Sequence, residues 1–105
     1  MSVANSPADV QPAALDEIRR RQQLAASRVP PHLHDGLVEY LVNHRPPGSF
    51  LCSVLSNDLL GACKRGDEQS RAHLVDLVLW LYEQAPIPSW GSVARVRTWL
   101  QKGEQ

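Results

Sequence analysis

The chain has 105 residues, enough for one domain with a single core and too few for a core plus an elaborate catalytic superstructure. Its 11 basic residues balance 11 acidic ones, five of each through Arg45 and six of each beyond it, so the basic excess typical of a phosphate-neutralising nucleic-acid binder is absent. No apolar run approaches the length of a membrane span, and the N-terminus MSVANSPADV lacks the charged and apolar parts of a secretory signal, which leads to the expectation of a cytoplasmic protein.

Residues 1–8 carry no periodicity and are expected to be disordered. Residues 9–28 form a good helix former with a thin apolar stripe of Leu15, Ile18 and Leu24, expected as a peripheral N-terminal helix. Its run of Arg19, Arg20 and Arg21 reads as a solvated face, with a phosphate or acidic partner as the alternative. A helical core domain is expected over residues 29–102.

The Pro30-Pro31 pair separates these parts, because proline is tolerated in a first helical turn and pushes the residue before it out of helical geometry. A second helix follows, with Leu33, Leu37, Tyr40 and Leu41 on one face, and Arg45-Pro46-Pro47-Gly48 stops it. Ser49 is placed to cap a third helix carrying Phe50, Leu51, Val54, Leu55, Leu59, Ala62 and Cys63 and ending at Lys64, Arg65 and Gly66. Asp67 caps a fourth helix, in which residues 74–82 are apolar almost all the way round. Such a belt belongs at the centre of a bundle or in a subunit interface. Ala85-Pro86-Ile87-Pro88 breaks it, and Ser92 caps a last helix with Val93, Val96, Trp99 and Leu100 on a narrow stripe. The expected fold is all-α, a compact bundle of four to five short helices in a single domain.

Cys52 and Cys63 are eleven residues apart in what reads as one helix, about 16 Å along its axis, too far to bond to each other. They read as buried small apolar side chains in a reducing compartment.

Asn57 and Asp58 form the polar pair of greatest interest, being poor interior helix residues on or beside the apolar face of the third helix. Either Asp58 pairs with a basic group such as Arg45, Arg65 or Arg71 or bonds to the backbone of the WGS turn, or the pair contacts a ligand. The histidines His32, His34, His44 and His73 lack the spacing of a metal site, and no serine or cysteine sits in a recognisable nucleophile motif, so no metal, no cofactor and no catalytic residue is expected. Trp90, in the turn Pro88-Ser89-Trp90-Gly91-Ser92, either plugs the end of the bundle or forms a lid. The candidate ligand-binding residues are thus Arg45, Asn57, Asp58, Arg65, Arg71 and Trp90.

The ordered motifs PPGSFL, VLSNDL, KRGDE, LVLWLYEQAP and WGS resemble a group of small proteins encoded by phages and prophages, over residues 29–100. The resemblance implies a phage accessory protein in the host bacterial cytosol and transfers no catalytic residue. With the apolar belt, it leads to the expectation of a non-enzymatic homo-oligomer of the anti-defence type that sequesters a small anionic ligand, such as a nucleotide immune signal. The alternative is a protein-binding inhibitor or adaptor acting on a host protein. A DNA-binding regulator using the last two helices is a weaker reading, since Arg95 and Arg97 stand about 200° apart on a helix.

Overall fold

The computed structural model describes residues 12–104, so the expected disorder of residues 1–8 falls outside the described residues. Within them the chain is all-α, with seven α-helices, three single-turn 3-10 segments and no strand. Helix α1 (Pro12–Ala25) lies against α2 (His34–Asn43); α3 (Ser49–Leu55) packs on α4 (Leu59–Arg65) and on α7 (Val93–Gln101). In the chain α5 (Glu68–Ala72) and α6 (Leu74–Gln84) follow α4 and precede α7.

The count exceeds the expected four to five because two anticipated helices are each divided. The third breaks at Asn57-Asp58: Asn57 takes a left-handed conformation (φ 63°), which its short polar side chain tolerates. Asp58 then restarts the helix as N-cap, its Oδ1 accepting from the Gly61 N–H at 2.9 Å. A Cβ on Gly61 would collide with that carboxylate. The two cysteines consequently sit in different helices, both as free thiols, and against the expectation of burial Cys52 in α3 is only half-buried and Cys63 in α4 is exposed. The fourth helix bends at His73, which closes the five-residue α5 and opens α6.

The caps follow the sequence in two places and depart from it in a third. Asp67 accepts from the Ser70 N–H at 2.7 Å, and Ser92 from the Arg95 N–H at 3.1 Å. Ser49, expected as a cap, is instead the first residue of α3; Gly48 (φ 92°) is the N-cap and makes the turn after Pro46-Pro47 that a residue with a Cβ would strain to adopt.

A single apolar core joins α2, α3, α6 and α7, with contributions from Leu24, Val29 and Ala62. Tyr40, fully buried, organises it: its phenol donates to the Ser89 carbonyl, and its own carbonyl accepts from the Trp99 indole N–H at 2.8 Å. These two bonds tie the 3-10 turn Ile87–Ser89 and α7 to α2. Burial, and secondarily the nearby Cys52 thiol, push the Tyr40 phenol well above the ordinary tyrosine pKa.

The arginine run is not an open basic face. Arg20 is buried and donates to the Gln84 carbonyl at 2.8 Å, fastening α1 to the end of α6. Arg19 pairs with Asp16 at 2.7 Å, while Arg21 reaches Glu17 at 3.0 Å and Asp35 at 2.8 Å. Polar anchoring thus supplements the thin stripe of α1, in which Leu24 is buried and Leu15 and Ile18 remain exposed.

Candidate binding cleft

The turn between α6 and α7 is held from below. The Gly91 N–H donates to the Leu55 carbonyl at 2.6 Å, docking the turn on the end of α3, and the Ser89 hydroxyl and N–H both donate to the Pro86 carbonyl. Gly91 lies at φ 110°, a conformation suited to glycine alone. This fixed turn and the left-handed Asn57 form two sides of a cleft of about 710 Å³, completed by Val78, Tyr82, Ala85, Ile87 and Arg95.

Trp90 is half-buried, packing against the core while lining the cleft, and Tyr82, also in its lining, is largely exposed. Among the described residues Arg95 contributes the cleft's one formal charge and no carboxylate lines it; the guanidinium Nη1 donates long hydrogen bonds to the Trp90 (3.2 Å) and Ile87 (3.5 Å) carbonyls. The Ser92 cap sets Arg95 in the first turn of α7, above the Trp90 backbone. Two aromatic rings, an amide side chain and a weakly engaged guanidinium can hold a flat, anionic molecule by stacking, hydrogen bonding and charge.

Of the six residues expected in a site, the structure brings Asn57 and Trp90 together here. Asp58 and Arg65 face each other at 3.6 Å one step away, in a shallow depression shared with Ser49, Cys52 and Ser53, where Arg65 also donates to the buried Ser53 hydroxyl at 2.9 Å. Arg45 is drawn to Glu39 at 3.3 Å beyond the end of α2. Arg71 closes the end of α4, donating to the Gly66 carbonyl at 2.8 Å. Neither Arg45 nor Arg71 lines the cleft. Arg95 and Tyr82 take their place; the signal for Arg95 was its position three residues after the Ser92 cap, whereas Tyr82 read as part of the apolar belt.

A second polar cluster was not anticipated. His32 Nε2 lies 2.9 Å from the Ser70 hydroxyl and 3.6 Å from Asp67 Oδ2. Both groups approach the same ring nitrogen, whereas a serine triad needs the carboxylate on the opposite one, and Ser70 is buried. The cluster pins α5 to the turn before α2. Its members are too far apart in sequence for any local pattern to reveal it. Hydrogen bonds from Ser70, the backbone N–H foremost, hold the Asp67 carboxyl below its ordinary range.

Among the described residues no group of three or more His, Cys, Asp or Glu side chains could hold a metal ion, and no helix is long and apolar enough to cross a membrane. Compared with protein-family models, curated proteins and solved structures, the chain matches none.

Proposed function

We propose that this chain is a non-enzymatic binding protein, a phage accessory factor of the anti-defence type, that works as a homo-oligomer in the host cytosol and sequesters a small anionic ligand with an aromatic ring system, such as a nucleotide signal. The observation that carries the ligand reading is the cleft lined by Trp90 and Tyr82, in which, among the described residues, the Arg95 guanidinium is the one formal charge and no carboxylate takes part. A base would stack on the indole or phenol, its polar edge would meet the Asn57 amide, and its phosphate would draw Arg95 away from two weak carbonyl bonds. The phage origin rests on the ordered motifs of residues 29–100. A binder that acts by holding its ligand needs no nucleophile or general base.

The test is native mass spectrometry of protein purified from its expression host, followed by denaturing release of any small molecule, and titration with a panel of linear and cyclic nucleotides. Retention or micromolar binding of a nucleotide, lost in Arg95→Ala and Trp90→Ala and retained in Arg45→Ala and Arg71→Ala, is the expected result. Protein that is empty and binds none of the panel ends this reading.

A further inference from the structure

Helix α6 is apolar on two opposite faces. Leu77, Trp80 and Leu81 are buried in the core. Val75, Val78, Leu79 and Tyr82, at the i, i+3, i+4, i+7 spacing, form a second stripe facing outward. Leu59 of α4 adjoins this stripe through a depression shared with Val78, and Ile87 adjoins it through the cleft shared with Val78 and Tyr82. These six side chains are between 37 and 77 % exposed.

We propose that this face is the self-association surface of the protein, covered by the same face of a second copy in a two-fold symmetric dimer. Scaled by ordinary side-chain areas, the six exposures amount to roughly 600 Å², at the upper end of what a monomer leaves as one patch. That is close to the ~800 Å² that each partner gives to a stable complex once the polar rim is added. The stripe carries no charge that would select a partner of opposite sign, and a four-residue stripe with this spacing matches itself. Pairing identical patches about a two-fold axis is the commonest way such a surface closes without leaving a free edge for further growth. Because Val78 and Tyr82 belong to both the stripe and the cleft, the second copy would roof the cleft and help exclude water from a bound ring. The inference gives the oligomer of the proposed function a surface and a symmetry, and it stands or falls on association state, which is measured separately from nucleotide binding.

The experiment is analytical ultracentrifugation of the full chain over a wide concentration range, with Leu79→Glu, Leu79→Lys and an equimolar mixture of the two, and circular dichroism to confirm that each variant stays helical. The wild type is expected to be a dimer. Each charged variant alone is expected to be monomeric, its association weakened by roughly 100-fold or more, since unpaired charge would be buried at the centre of the patch. Mixing the two restores a dimer containing one of each, a rescue that a contact between unlike surfaces would not give. A wild type that is monomeric at the highest concentrations overturns the proposal and leaves the face to a partner of different sequence. A dimer that survives Leu79→Glu overturns it equally, by placing the interface elsewhere.

Discussion

The inner and outer sides of α6 carry nearly the same side chains and meet opposite fates. Inward, Leu77, Trp80 and Leu81 are almost wholly shielded from water, while outward Val75, Leu79 and Tyr82 stand in it. Hydrophobicity in one helix therefore reports two separate requirements, the folding of this chain and the covering of its surface, and composition cannot divide them. What divides them is the set of neighbours: the inner side belongs to the same core as Tyr40, Leu55 and Trp99, and the outer side borders shallow depressions shared with Leu59 of α4, with Asn57 and with the turn after α6.

The largest expected effect breaks this comparison most directly. Leu81→Ala removes a fully buried side chain and should cost about 2–5 kcal/mol of unfolding free energy, the range for leucine truncation in a packed core. Leu79→Ala, measured in urea at a dilution where the chain is monomeric, should change stability by no more than about 0.5 kcal/mol. Equal losses at the two positions would mean that the outer face is part of the monomer's own core.

Tyr40 sharpens the inner side. Tyr40→Phe keeps the ring but leaves the buried Ser89 carbonyl without the phenol's hydrogen bond, an expected loss of about 1–3 kcal/mol. The pH dependence gives a second readout. Because the folded phenol has the higher pKa, its contribution is fully present below the unfolded value of 10.0 and is lost as pH rises from there through the folded value. The wild type should therefore weaken on the alkaline side in chemical denaturation, and Tyr40→Phe should lose that part of the slope.

Much of this architecture was legible as punctuation. Pro30-Pro31, Pro46-Pro47-Gly48, Gly66-Asp67 and Pro86 to Pro88 each end or begin an element where the residue's own backbone chemistry requires it, and Ser92 caps the helix it precedes. The breaks at Asn57-Asp58 and His73 were not legible as breaks. Apolar periodicity runs through both, and the left-handed Asn57 depends on Asp58 capping the next helix and on the Asp58 N–H finding the Ser53 carbonyl at 2.8 Å. The cleft was half legible. Asn57 and Trp90 stand out by residue type in an unusual place, but which arginine joins them is decided by tertiary pairing: Glu39 takes Arg45, the end of α4 takes Arg71, and Arg95 is left over the turn.

That placement of Arg95 depends on the start of α7, where the cleft meets the core. Ser92→Ala removes the side-chain acceptor for the Arg95 N–H and should destabilise the protein by about 1 kcal/mol in thermal or urea unfolding. If the cleft works as proposed, the same change should weaken nucleotide binding several-fold through a loosened first turn, whereas Ser92→Asp should restore the cap and the stability. A full loss of binding with unchanged stability would point to direct contact between the Ser92 hydroxyl and the ligand.

The smallest effect lies at Asp67, where the chain turns from α4 into α5. Asparagine is as good an N-cap as aspartate, so Asp67→Asn keeps an oxygen for the Ser70 N–H at 2.7 Å and removes only the charge. In the wild type the bond from the Ser70 backbone, followed by its hydroxyl and by the fields of His32 and Arg71, lowers the folded pKa below the ordinary 3.8. A depressed carboxylate contributes stability that is present above the unfolded pKa and is lost as pH falls through the folded one. The melting temperatures of wild type and Asp67→Asn should accordingly coincide in strong acid, separate as pH rises through the folded pKa, and be fully apart above the unfolded value of 3.8, with the wild type only slightly ahead because the group is exposed to solvent. A gap of the same size at every pH would mean that the amide spoils the cap geometry itself, and that the charge at this turn does nothing for the fold.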